Sequence, residues 1–145
     1  MRAKILLVVA AVALTGLIPA SPVRAAPSCN NVGLESYDVE VRGLKRSYRT
    51  SETIDVTLVV RRKNSDVPVE NARAALALRH KGLFLAAIAE TNAQGKAHVS
   101  LPLRNAAPGV FDMLLYAEKP IYDLACPDVY EYGSRYRRNA VRVRP

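Results

Sequence analysis

The stretch Asn71-Ala-Arg-Ala-Ala-Leu-Ala-Leu-Arg-His-Lys-Gly-Leu-Phe-Leu-Ala-Ala-Ile-Ala-Glu90 decides the fold class, because its Ala and Leu content suits a helix while its spacing does not. On a helix, Leu76 would need apolar neighbours three and four residues on, and those positions hold Arg79 and His80. Lys81-Gly82 then interrupts the run. Two strands, over 72–78 and 83–89, joined by a polar turn at Lys81-Gly82, fit the pattern better.

The same period of two extends in both directions from this stretch. Upstream, Val39 and Val41 alternate with Asp38, Glu40 and Arg42, and Ile54, Val56, Leu58 and Val60 form a second row with polar residues between them. Both segments are rich in β-branched residues, which suit a pleated, half-buried surface. Downstream, Thr91-Asn-Ala-Gln-Gly-Lys96 is a turn signal, with Gly95 free to take the positive φ that closes a tight hairpin loop. Ala97, Val99, Leu101 and Leu103 then alternate with His98, Ser100 and Pro102. Pro102 cannot donate a ladder hydrogen bond, so that strand is expected at a sheet edge or to end there. After Ala107-Pro108-Gly109, the segment 110–118 is the most apolar strand, with Phe111, Met113, Leu115 and Ala117 as its core face.

Residues 119–134 break this rhythm with Pro120, Cys126, Pro127 and Gly133 set among Tyr122, Tyr130 and Tyr132. The segment reads as a long loop before the last strand, 136–144, and as the place where a small domain carries a binding function. The candidate ligand-binding residues are Tyr130, Tyr132, Arg135, Tyr136, Arg137 and Arg138, since tyrosines beside arginines suit polyanions. Arg142 and Arg144 read instead as the solvent face of the closing strand, with Val141 and Val143 inward.

About seven strands at short spacing predict an all-β chain, a single Ig-like antiparallel β-sandwich with a long loop before the last strand. Four runs carry a resemblance: Tyr48-Arg-Thr-Ser-Glu-Thr-Ile-Asp-Val-Thr-Leu58, Val67-Pro-Val-Glu-Asn-Ala72, Thr91-Asn-Ala-Gln-Gly-Lys96 and Ala107-Pro-Gly-Val-Phe111. Over residues 37 to 118 the chain resembles bacterial Ig-like and macroglobulin-type modules. In those, a Tyr and a turn precede the second strand, and a Pro-Val-x-Asn-Ala step opens the third. It departs from them at Arg49-Thr50, where they often have Pro-Gly, and at Phe111, where they often have Tyr. The resemblance implies a secreted scaffold or binding module more than a catalyst.

The first 25 residues read as a secretory signal peptide. Arg2 and Lys4 precede an apolar run from Ile5 to Ile18, and Val23-Arg24-Ala25 sets small residues where a signal peptidase reads them. The run is shorter than the roughly 20 residues a bilayer-spanning helix needs, so no transmembrane segment is expected after cleavage. The expected location is secreted or periplasmic, with one domain over 26–145. Of 21 basic and 13 acidic residues, Arg2, Lys4 and Arg24 precede Ala26 and every acidic one follows it. The remainder, 18 less 13, is a net +5, which favours acidic surfaces without naming one. In an oxidising compartment the two cysteines, Cys29 and Cys126, are expected to form a disulfide. By chain entropy, closing that loop is worth up to about 4.7 kcal/mol.

Catalytic chemistry is thinly supplied. His80 reads as a solvated turn residue and His98 as an exposed strand neighbour, and neither has a partner at metal-ligand spacing. Transthyretin-like hydrolases are small sandwiches that close on Tyr-Arg-Gly-Ser, whereas this chain has Tyr132-Gly-Ser-Arg135 and continues. No phosphate loop, serine elbow or calcium loop occurs, and no cofactor or metal is expected. The expected role is a non-enzymatic module that binds a protein or an acidic cell-envelope polymer; nucleic acid is not the expected partner of an exported chain. Two alternatives stand beside it. One is a small hydrolase or accessory catalyst using Asp123, Asp128 or Glu131. The other is a structural subunit of an envelope complex, which would need an exposed apolar edge or patch.

Overall fold

A computed structural model describes residues 33–121 and 129–145. The signal segment, Cys29, Cys126, Tyr122, Asp123 and Asp128 lie outside the described residues. Nine strands and no helix occupy the described chain: β1 (Gly33–Glu35), β2 (Tyr37–Arg42), β3 (Ser47–Arg49), β4 (Thr53–Arg62), β5 (Arg73–His80), β6 (Leu83–Glu90), β7 (Lys96–Pro102), β8 (Gly109–Pro120) and β9 (Tyr130–Arg144). They form a β-sandwich. One sheet has six strands in the order β1-β9-β8-β5-β6, with β3 also on β9, and the other has three in the order β2-β4-β7.

The stretch 71–90 forms β5 and β6, paired from Arg73↔Glu90 to His80↔Leu83. Lys81 (φ 44°) and Gly82 (φ 83°) make the two-residue turn between them. Both central residues at positive φ give a loop whose twist matches that of its strands. Strand geometry wins over helical composition here because it puts Ala74, Leu76 and Leu78 on one buried face. A helix would have spread them around a cylinder.

The rows expected to face inward do so. Ile54, Val56, Leu58 and Val60 on β4, Ala97, Val99 and Leu101 on β7, and Phe111, Met113, Leu115 and Ala117 on β8 are buried in one core with Val141 and Val143. Each large apolar side chain so buried stabilises the fold by about 1.5–3 kcal/mol. Tyr37 and Tyr48 join them, on β2 and on the short strand β3 that periodicity does not reveal. β7 stops at Pro102 on the edge of its sheet, as the missing donor requires.

Four expectations are corrected. The turn at Asn92–Gly95 does not make a hairpin, since β6 and β7 belong to different sheets and the chain arches across the core between them. Thr91 pins that arch: its buried hydroxyl donates to the Val69 carbonyl (2.6 Å) and accepts from Ala72 N–H (2.9 Å). Gly95 has the expected positive φ (68°), and its carbonyl accepts from Val60 N–H at 2.8 Å.

The long loop over 119–134 is in large part strand. β8 continues to Pro120 and β9 starts at Tyr130, with the ladder running from Pro120↔Tyr130 through Ala117↔Gly133 and Leu115↔Arg135. β1 and β3 run parallel to β9, so the sheet is mixed, not purely antiparallel.

The fourth correction is His80, which is no solvated turn residue. It ends β5 half-buried, its Nδ1–H donates to the Val110 carbonyl at 2.7 Å, and its ring packs 5.0 Å from that of Phe111. His98 is exposed, opposite Thr57, as expected.

Candidate functional site

The six candidate ligand-binding residues all lie on β9, and period two divides them between its faces. Arg135 and Arg137 stand opposite Leu115 and Met113, so they share the core-facing side of the sheet. Tyr132 stands opposite Glu118 and Tyr136 opposite Leu114, on the outer side. Aromatic rings and those two guanidinium groups therefore do not make one stacked site. Arg138 falls in a bulge, where Phe111↔Val141 and Met113↔Arg137 leave extra residues on β9.

Asp112 builds that bulge. Its carboxylate accepts from the Tyr136 hydroxyl (2.6 Å) and from Asn139 N–H (2.9 Å), and Asn139 takes a positive φ of 49°. The Tyr136 hydrogen bond first, and then the Asn139 amide, hold the Asp112 carboxyl below the usual carboxylate range. The same bond raises the Tyr136 hydroxyl.

On the outer face, Tyr116, Tyr132 and Tyr130 form a ladder. The Tyr116 and Tyr132 rings are stacked at 6.2 Å, and those of Tyr132 and Tyr130 are tilted at 6.0 Å. Burial pushes the Tyr116 hydroxyl up to about 12, helped by its hydrogen bond to Glu118. Gly33 of β1 lies against this ladder, where a Cβ would meet both Tyr130 and Tyr132 at 3.0 Å. The ladder is thus a packing surface for β1.

A concavity opens on the other face. β1 pairs only with Tyr130–Tyr132 and β3 only with Arg142–Arg144, so among the described residues the middle of β9 has no strand on its far side. The two sheets approach closely at Gly133, where a Cβ would run into the Tyr37 backbone. Beyond that point they part, leaving a cleft of about 890 Å³. Val41, Leu44, Met113 and Leu115 contribute its apolar lining. Its charged lining residues are Lys45, Arg46, Arg135, Arg137 and Arg142, against Glu40 alone, though Arg142 lies between inward Val141 and Val143 and turns its side chain to the outer row. Lys45 faces Glu52 at 3.6 Å and lies over the Tyr48 ring, whereas none of the four arginines has a carboxylate within 4 Å among the described residues. Long arginine stems can lie along the exposed flank of the core while their heads stay in water, which explains how charge sits on an inward-facing row.

Sequence reasoning found Arg135 and Arg137 but missed Lys45 and Arg46, which lie between β2 and β3 and enter only through tertiary structure. A smaller recess of about 320 Å³ adjoins the cleft, sharing Arg135 and Glu40 with it and including Asp38 and the Arg61–Asp66 ion pair.

Glu131, the described member of the carboxylate set considered for catalysis, is tied up. Arg62 donates to both of its oxygens, at 2.9 and 3.1 Å, and the Tyr37 hydroxyl donates to Oε2 at 2.5 Å. These bonds lower the Glu131 carboxyl, Arg62 contributing most, while burial chiefly raises the Tyr37 hydroxyl. A carboxylate held ionised in this way joins β9 to β2 and β4. Among the described residues no three His, Cys, Asp or Glu side chains are grouped as a metal ion would need. No protein-family model, curated protein or solved structure matches this chain.

Proposed function

We propose that this chain is an exported, non-enzymatic Ig-like module that holds an acidic cell-envelope polymer or acidic protein segment in the cleft beside β9. The carrying observation is the set of three arginines, Arg46, Arg135 and Arg137, without carboxylate partners among the described residues and lining one concavity with an apolar floor. A charged concavity with low-dielectric walls concentrates field and draws oppositely charged chains. The signal-like first 25 residues support export.

The test is retention of the purified protein on immobilised polyglutamate and on heparin, as acidic-peptide and acidic-glycan probes, across a salt series. Retention should fall with salt and with the double substitution Arg135→Ala/Arg137→Ala, and should survive Arg49→Ala/Arg104→Ala, which changes exposed arginines outside the cleft. Retention that ignores the cleft pair but drops with the control pair would place binding elsewhere. No retention on either probe at low salt would remove the reading.

A further inference from the structure

The end of the six-stranded sheet remote from β9 carries a second unexplained surface. β6 pairs with β5 on one side and with no strand on the other among the described residues. Free edges in monomeric proteins normally carry an inward charge, a proline or a bulge that blocks pairing with another chain. From Leu83 to Ala89, β6 has no charged residue and no proline, and its register with β5 is unbroken. Its outward Phe84 and Ile88 are 61% and 59% exposed. The outward neighbours opposite Ile88 and Ala86 on β5 are only Ala75 and Ala77, too small to cover them.

We infer that β6 is the interface of a homodimer, two copies pairing antiparallel about a twofold axis at Ala86 so that their six-stranded sheets become one. The strand is complementary to itself in that register. Phe84 stands opposite the partner's Ile88, twice by symmetry, joining the two most exposed apolar side chains of the strand. On the core-facing row Leu85 meets the partner's Ala87 and Leu83 the partner's Ala89, a large side chain against a small one each time. Glu90 then falls opposite the partner's Gly82, beside Lys81, so opposite charges close both ends.

Neighbouring registers are worse. An axis at Ala87 sets Phe84 against the partner's Glu90, and an axis at Leu85 sets Ile88 against Gly82. A slip that makes an outward residue face an inward one would turn the core row of one copy to solvent. The surface is separate from the arginine cleft, so the two proposals stand or fall independently.

Sedimentation equilibrium of the purified protein tests the inference, with far-UV circular dichroism confirming that each variant folds. The wild type should sediment as a dimer, and Ile88→Lys, a substitution at an exposed position present twice per interface, should raise the dimer dissociation constant at least about 100-fold. Lys81→Glu and Glu90→Lys should each weaken the dimer, and the double swap should restore it. Ala86→Cys should give a disulfide-linked dimer on mild oxidation, since residues facing each other at the axis lie about 4.5–5.5 Å apart at Cα. Ser100→Cys, exposed on the other sheet, should not. A monomer throughout the concentration series overturns the inference, as does a dimer that Ile88→Lys leaves intact. Single charge changes that weaken the dimer without rescue by the swap overturn the register and with it the stated interface.

Discussion

Replacing Glu131 by Gln removes the charge from a carboxylate that fastens β9 to both strands facing its start. Three hydrogen bonds converge on it, two from Arg62 and one from Tyr37. A glutamine keeps the shape and one good acceptor, but its amide NH2 would point donors at a guanidinium. The net loss is two charge-assisted bonds, each worth roughly 1.5–3 kcal/mol in full. Arg62 is about half exposed, with 47% of its side chain open to solvent, and is rehydrated once its partner is lost, which lowers the cost. The Glu131 side chain is 17% exposed, so its own contribution is little screened. Balancing these, Glu131→Gln should cost about 2 kcal/mol at pH 7 and lower Tm by about 8 °C for a domain of this size.

The pH dependence separates this account from a loss of packing. The folded-state carboxyl lies below its ordinary value of 4.5, so its stabilisation is fully present above that value and fades as the pH falls through the lower folded one. Urea titrations of the wild type and Glu131→Gln should therefore differ most near neutrality and converge in acid below about pH 4.5. Tyr37→Phe should cost about 1 kcal/mol alone and less on top of Glu131→Gln, because the two share a bond. A difference that stays flat from pH 7 to pH 3, or one under about 0.5 kcal/mol at pH 7, would refute the reasoning.

Three further outcomes are expected. Gly133→Ala should destabilise by about 3 kcal/mol in urea titration, because the new Cβ meets the Tyr37 backbone, which cannot rotate away as a side chain could. Thr91→Val should cost about 3 kcal/mol, leaving the Val69 carbonyl and the Ala72 N–H buried without their shared hydroxyl partner. Asp112→Asn should speed hydrogen exchange at the Asn139 amide with little effect on global unfolding. In the wild type that amide should lose protection as acid protonates Asp112, whose carboxyl is held below its ordinary value and so supports the bulge above it.

How far the fold was legible follows from which rows are covered on one side. β4 and β7 have a buried face and a largely polar one, so their period of two is plain in the sequence, and the first part of β8 keeps the same buried row though its other face is half apolar. β5 and β6 were readable for another reason: Arg79, His80 and Lys81-Gly82 break helical spacing at the place where their hairpin turns. β1 and β3 are three residues each and are held by pairing with β9 instead of by their own pattern, so nothing local announces them. The arch at Asn92–Gly95 shows a different limit. Its turn chemistry is local, with the Asn92 side chain accepting from the Gln94 and Lys96 amides, but whether the next strand joins the same sheet depends on the core it must cover.

The start of β9 was hidden because its inward row is Glu131, Gly133, Arg135 and Arg137, and none of these looks like a core residue. Each is there for a separate cause. Glu131 is neutralised by Arg62, Gly133 gives room for the Tyr37 backbone of the facing sheet, and the arginines sit where the sheets have parted and water enters. A charged residue on an inward row normally signals a wrong assignment of strand or face, since burying it unpaired is costly. Here the sequence of causes along one row, ion pair, then contact, then opening, is itself a map of the gap between the sheets. Tyrosines on the alternate row pack outward against β1 and β8, so the basic and aromatic halves of the segment do different things. Any ligand that enters the cleft meets Arg135 and Arg137 without meeting Tyr130, Tyr132 or Tyr136. Binding that depends on those tyrosines but not on those arginines would therefore occupy the outer face of β9, and the two sets of substitutions can tell the faces apart.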